Sequence, residues 1–243
     1  MSIVVKITKK LSRAFTLKLD FETENGCLGI LGQSGSGKSM TLKCIAGIEK
    51  PDEGSIAIDG RALFDSAKRI NLSPQARRVG YMFQNYALFP RMTVLENIMA
   101  PLAARGFKAA DGQREAAYWI SRFALDGMEK RYPRQLSGGQ QQRTALARML
   151  VCKPNAVLFD EPFSALDSTL REYMQLQIQE LLQDKGVAGS VFRNAILVTH
   201  NRDEVYRLCP ELAVMSGGGM IIKDSAGKVF QDPRFVNVAR LTG

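Results

Sequence analysis

The chain has 243 residues, 45% of them hydrophobic and 23% charged, which excludes a disordered, collagen-like or disulfide-stapled protein. That length suits one large domain, or one domain carrying a subdomain. Lys and Arg total 33 against 24 Asp and Glu, a net charge of +9; this favours a polyanionic partner such as nucleic acid, an anionic membrane surface or a nucleotide, without choosing among them.

At the N-terminus, Lys6 interrupts the apolar stretch Ile3 to Val5, far short of the roughly 7–15 apolar residues of a secretory signal. No later run approaches the roughly 18 apolar residues that span a bilayer. A cytoplasmic chain is expected. Thr16 to Phe21 alternates roughly polar and apolar, the pattern of a half-buried strand. Gly26 breaks the alternation, and the apolar run Cys27 to Leu31 reads as a second strand, followed by a glycine-rich loop and the helix-like segment Met40 to Ala46. Further strands are expected at Ser55 to Ile58 and Arg78 to Phe83, with turns at Asp59-Gly60 and Ser73-Pro74. From about Asn85 to Leu150 the pattern is helical, with Ala116, Ala117, Ile120 and Phe123, then Ala145, Leu146, Met149 and Leu150, at helical spacing. Ala156 to Phe159 and Ala195 to Val198 are short, continuously apolar runs, as in strands covered on both faces of a parallel sheet. The layout predicts an α/β nucleotide-type core, residues 1–85 and 151–243, carrying a helical insertion at 86–150.

The loop Gly32-Gln33-Ser34-Gly35-Ser36-Gly37-Lys38-Ser39 fits G-x-x-x-x-G-K-[ST], between a strand and a helix as that motif requires. Glycines let backbone amides turn inward around phosphate oxygens, and the helix that follows adds its positive end. Lys38 would reach the β- and γ-phosphates, and the Ser39 hydroxyl would ligate Mg²⁺. Ser137-Gly138-Gly139-Gln140, within the stretch Leu136 to Arg143 that precedes another amphipathic helix, is either a second anion-binding helix start or an ordinary cap supplied by Ser137. Asp160 and Glu161 end an apolar strand, where Asp160 can hold Mg²⁺ through its water shell and Glu161 can face an attacking water. His200 is the only histidine, which excludes a multi-histidine metal centre. Cys27, Cys44, Cys152 and Cys209 form no C-x-x-C pair and read as buried thiols.

These motifs, in this order over nearly the whole chain, resemble those of ATP-binding-cassette ATPases. The resemblance implies a P-loop NTPase core with a small antiparallel β part and a helical subdomain. It makes Gly32 to Ser39, with Met40, the phosphate loop and Leu136 to Gln140 the signature motif. Gln84, in Tyr81-Met82-Phe83-Gln84-Asn85, becomes the glutamine-loop residue and a metal contact. Asp167, in Ser164-Ala165-Leu166-Asp167, belongs to the D-loop, and His200 after Val198-Thr199 becomes the switch histidine. Read without the resemblance, Gln84 is a solvated amide, His200 a structural histidine and Asp167 a helix N-terminal acid. Members usually stack adenine on an aromatic residue shortly before the loop; here Leu11 stands at that place, and Phe15 is either a substitute or strand core.

The stretch from Gly60-Arg61-Ala62-Leu63-Phe64-Asp65-Ser66 through Leu72-Ser73-Pro74 to Arg77-Arg78-Val79-Gly80-Tyr81 resembles the ATPases of bacterial importers for molybdate, tungstate or sulfate. The resemblance implies ATP and Mg²⁺ as ligands, a head-to-tail dimer with each ATP between one copy's loop and the other's signature helix, and catalytic roles for Glu161, His200 and Gln84. It implies permease subunits as partners, with a helix received near Gln84 to Pro90 beside Leu88 and Phe89, and indirectly a solute-binding protein. The expected place is the cytoplasmic face of the cell membrane, with no nucleic-acid partner. The rival is a soluble cassette ATPase acting on nucleic acid or ribosomes, which the charge permits.

Overall fold

The computed structural model describes residues 2–24, 26–164, 166–183 and 194–232. Its first strands follow from period-two patterning. β1 (Ser2–Lys10) and β2 (Thr16–Glu24) pair antiparallel, Ser2 opposite Glu24 and Lys10 opposite Thr16. Alternation buries Ile3, Val5 and Ile7 on one strand and Leu17, Leu19 and Phe21 on the other. β4 (Glu53–Ile58) pairs with the free side of β1, and β5 (Arg61–Asp65) and β6 (Ile70–Asn71) extend this antiparallel part.

The second part of the sheet is parallel. β3 (Gly26–Gly32) lies between β9 (Asn194–Val198) and β10 (Glu211–Ser216), and β9 pairs in turn with β8 (Ala156–Asp160). Every residue of β8 and β9 is buried, the signature of strands covered on both faces. β11 (Gly219–Ser225) runs antiparallel to β10 and bridges to β2 through Gly219 and Lys18, so both parts join in one eleven-stranded sheet. β7 (Val79–Met82) closes the order β6-β5-β4-β1-β2-β11-β10-β3-β9-β8-β7. Ile30 and Asp160 both pair with Val198. Hence the ends of β3, β8 and β9 share one edge, where ligands gather in open α/β sheets.

α1 (Lys38–Ala46) leaves that edge and stops at Gly47, whose φ of 79° suits a left-handed cap. Its last carbonyls find an unusual partner. The guanidinium of Arg77, 1% exposed, donates to the carbonyls of Cys44, Ile45 and Leu72 and to Asn71 Oδ1. This satisfies acceptors that a helix end leaves open. Arg77 belongs to α2 (Pro74–Arg77), capped by Ser73 with Pro at its first position, where a simple turn is expected from the sequence. The strand expected at Arg78 to Phe83 is shorter, because Arg78 takes φ 54° and breaks the extended run.

Among the described residues, one compact unit takes in those of Met1–Tyr81, Asn155–Glu161 and Gln175–Gly243, and the other those of Met82–Pro154 and Pro162–Met174. Within the second, α3 (Val94–Ala103), α4 (Ala109–Arg122) and α5 (Gly138–Leu150) pack on one another. Their buried side chains include Ile98, Leu102, Trp119, Leu146 and Leu150, and Trp119 stacks on Phe123. Thr93 and Glu96 close a reciprocal cap at the start of α3. α6 (Ser168–Gln183), α7 (Arg202–Leu208) and α8 (Ala226–Gln231) complete the helices. No helix of the described residues is long and apolar enough to cross a membrane.

Candidate active site

The glycine-rich loop begins at the last residue of β3. Gly32 has no room for a side chain: a Cβ there would sit 2.5 Å from the Met215 carbonyl oxygen and 2.7 Å from Ser36 Oγ. Gly37 takes φ 102°, a conformation that L side chains rarely adopt. Gln33, Ser34 and Gly35 are exposed, and Met40 is half-buried in α1. Lys38 is 6% exposed and folds back on the loop, its Nζ donating to the carbonyls of Gly32 (2.7 Å) and Gln33 (3.0 Å). Burial lowers the pKa of this ammonium, and the charges of Glu161 and Asp160 oppose that shift. Ser36 Oγ is buried with no hydrogen-bond partner among the described residues.

Asp160 ends β8 and has both carboxylate oxygens engaged. Ser39 Oγ donates to Oδ1 at 2.7 Å, and the Tyr81 hydroxyl donates to Oδ2 at 2.8 Å. Burial, then the bond to Asp160, pushes the Tyr81 phenol far above its ordinary pKa, so it remains a donor at neutral pH. Glu161 follows with φ 48°, and its N–H donates to the Val198 carbonyl. This left-handed residue turns the chain sharply off the strand end. Glu161 Oε2 lies 3.6 Å from Nδ1 of His200, which is two residues past β9 and largely exposed. One sheet edge therefore gathers the loop lysine, the Ser39–Asp160–Tyr81 chain of hydrogen bonds and the Glu161–His200 pair.

Tyr81 is the site residue that sequence reasoning passes over. It reads there as a strand aromatic beside Gln84, and only the adjacency of β7 and β8 brings its hydroxyl to Asp160.

The remaining expected residues belong to the other unit. Gln84 is exposed and its Nε2 lies 3.4 Å from Ser164 Oγ. Ser137 caps α5 through a reciprocal pair: its Oγ accepts from the Gln140 N–H, and Gln140 Oε1 accepts from the Ser137 N–H. Gly138 and Gly139 lie inside the first turn of α5 rather than ahead of the helix, since the cap falls on Ser137. Gly138 faces open space, whereas a Cβ on Gly139 would strike the Leu170 side chain. Asp167 Oδ1 accepts from the Leu170 N–H at the start of α6, the bond of a helix N-terminal acid. Ala165, in the expected D-loop, lies outside the described residues. Phe89 is 46% exposed with the Arg148 guanidinium over its ring. In the first unit, Leu11 is exposed, while the Phe15 ring lies 3.7 Å from where a Cβ on Gly37 would stand.

The model of the family described as ABC transporter matches residues 16–164. The Fe(3+) ions import ATP-binding protein FbpC of Brucella abortus is 39% identical over 239 residues, covering 98% of this chain and 64% of that protein. The sulfate/thiosulfate import ATP-binding protein CysA of Synechocystis is 36% identical over 236 residues, covering 96% of this chain and 63% of that protein. The chain thus spans just under two thirds of these relatives. Among solved structures, the ATP-binding cassette MJ0796, a dimer in a post-hydrolysis state bound to ADP and Pi, superposes with a TM-score of 0.75 at 28% identity, covering 93% of this chain and 99% of that one. With its glycine-rich loop, acidic strand end and sheet in this arrangement, the chain belongs to the ABC transporter family and has the fold of that family's ATP-binding cassette.

Proposed function

We propose that the chain binds ATP with Mg²⁺ and hydrolyses it, as the energising subunit of a bacterial importer. The observation that carries this reading is the sheet edge where Ser39 and Asp160 offer two hard oxygen donors 2.7 Å apart, beside Lys38 and the Glu161–His200 pair. The donor set fits a magnesium ion, which takes oxygen ligands and keeps part of its water shell. The orphaned Ser36 hydroxyl fits a phosphate-shaped acceptor in the loop. Ser39 and Asp160 would hold the ion, and the ion would neutralise charge on the β- and γ-phosphates.

The chain's own groups supply the rest. Lys38 exchanges its carbonyl partners for phosphate oxygens, with Gly32 to Met40 providing amides. Glu161 orients and deprotonates the attacking water, and His200, held beside it, donates toward the γ-phosphate. We further propose that two copies associate head to tail, so that Ser137, Gly138, Gly139, Gln140 and Asp167 of one copy complete the site of the other. The loop-bearing part, 1–85 and 151–243, would hold nucleotide, and 86–150 would meet permease subunits at the cytoplasmic face of the membrane. ATP then biases a two-state closure that the permease converts to transport.

For the solute we propose an oxyanion such as molybdate, tungstate or sulfate, delivered by a solute-binding protein. Support comes from the Gly60 to Tyr81 stretch and from the sulfate/thiosulfate relative. The iron relative is slightly more similar, at 39% identity against 36%, so the solute is tested by identifying the co-purifying permease and the ion that stimulates its ATPase. The reaction is tested by Glu161→Gln, which keeps shape but removes the base. We expect this variant to retain ATP and migrate as a dimer on size exclusion. Normal hydrolysis by the variant would assign water activation to another group.

A further inference from the structure

In sequence the four cysteines read as buried thiols, but the fold pairs two of them. Cys27 and Cys209 stand 182 residues apart in the chain, yet their Sγ atoms lie 3.1 Å apart, with both residues nearly fully buried. Cys27 is the second residue of β3, and Cys209 caps the end of α7, its N–H donating to the Val205 carbonyl. Packing holds the pair in place. A Cβ on Gly29 would sit 2.6 Å from Val205 and 3.3 Å from Cys209, so α7 rests directly on β3. Just beyond, β10 pairs with β3, Glu211 opposite Leu28.

The pair borders a cavity. Both cysteines line a cavity of about 360 Å³ with Gly26, Tyr206 and Pro210, and Tyr206 at its rim is 70% exposed. A molecule as small as hydrogen peroxide fits. All four cysteines carry free thiols. Cys44 is buried among core residues, and Cys152 belongs to the other unit.

We propose that Cys27 and Cys209 form a peroxide-oxidisable dithiol that closes to a disulfide, tying the end of α7 to the start of β3. The Cys27 thiolate attacks one peroxide oxygen; the O–O bond breaks, and a sulfenic acid forms with loss of hydroxide, which takes up the thiol's proton as water. The Cys209 sulfur then attacks the sulfenic sulfur. The S–S bond forms, the S–O bond breaks, and the hydroxyl leaves with the Cys209 proton as a second water. Two thiols and one peroxide become one disulfide and two waters, with two electrons passing from sulfur to oxygen. Burial raises the Cys209 thiol well above its ordinary pKa, and its hydrogen bond with Cys27 adds to the shift. Closure to the usual bond length of about 2.05 Å needs an approach of about 1 Å.

α7 begins two residues after His200, so the disulfide would anchor the helix that follows this residue. Closing so long a loop also restricts the unfolded chain.

The test uses the reduced full chain, treated with near-stoichiometric hydrogen peroxide, alkylated and digested with trypsin. We expect a linked pair of peptides, residues 19–38 with 208–223, loss of two of the four thiols, and full reversal by dithiothreitol. The melting temperature of the oxidised form should rise by several degrees. Cys209→Ser should leave a dimedone-reactive sulfenic acid on Cys27 and no linked peptide; if that variant does not fold, the wild-type map decides alone. Four alkylatable thiols after treatment, a linkage through Cys44 or Cys152, or an unchanged melting temperature would overturn the proposal.

Discussion

Replacing Tyr81 with phenylalanine removes one oxygen from the site and tests whether the tertiary contact at Asp160 is energetically real. The Tyr81 hydroxyl donates at 2.8 Å to a carboxylate in a residue only 8% exposed. A hydrogen bond to a charged group contributes about 1.5–3 kcal/mol net. Tyr81 is itself half-buried, so water partly replaces it, and the lower part of that range, about 1.5–2 kcal/mol, is expected. At roughly 2–4 °C per kcal/mol for a chain of this size, the melting temperature should fall by about 3–8 °C. The assay is a double-mutant cycle in urea with Tyr81→Phe, Asp160→Ala and both, which isolates the pair from the other contacts of each residue. A coupling of about 1 kcal/mol or more is expected, and Tyr81→Phe should cost little once Asp160 is gone. In a Glu161→Gln background, with Asp160 intact, the same variant should need severalfold more Mg²⁺ for half-maximal ATP retention, because Asp160 is held less firmly. Coupling under about 0.5 kcal/mol, with unchanged Mg²⁺ dependence, would refute the reasoning.

Three further predictions concern separate parts of the molecule. Lys38→Ala and Ser137→Arg, each in a Glu161→Gln background, should both abolish nucleotide retention as homodimers, yet mixing them should restore one trapped nucleotide per dimer; no rescue would reject the head-to-tail site. Phe15→Ala should raise the KM for ATP about fivefold or more, by loss of about 1–3 kcal/mol of base stacking, and an unchanged KM would deny Phe15 a part in base stacking. Burial, reinforced by Glu49 and Asp52 and opposed by Lys9 and Arg77, pushes the Cys44 thiol from 9.0 to about 11. The folded state keeps that proton while the unfolded chain loses it, so stability is full below pH 9 and falls through pH 11. The slope is about 1.4 kcal/mol per pH unit for this one group; urea titrations should show a shallower fall in Cys44→Ala, and equal slopes would contradict the assignment.

The sequence by itself determined the class of fold and the glycine-rich loop between β3 and α1, because both depend on short-range pattern. Continuous apolar runs at Ala156 to Phe159 and Ala195 to Val198 announce strands covered on both faces, and the glycine-rich loop draws its amides, lysine and hydroxyl from contiguous residues. β1, β5, β6, β10 and β11 were not legible: such strands gain much of their stability from partners across the sheet rather than from their own residues. Likewise, no local signal carries the buried Arg77 on the end of α1, the Tyr81 hydroxyl on Asp160, His200 beside Glu161 or the meeting of Cys27 with Cys209. Each joins residues that only strand order and register bring within reach. A shift of one residue would turn every side chain of a strand to the opposite face. Those contacts were decided by tertiary structure because register is settled when the sheet closes, by the burial of the whole core at once.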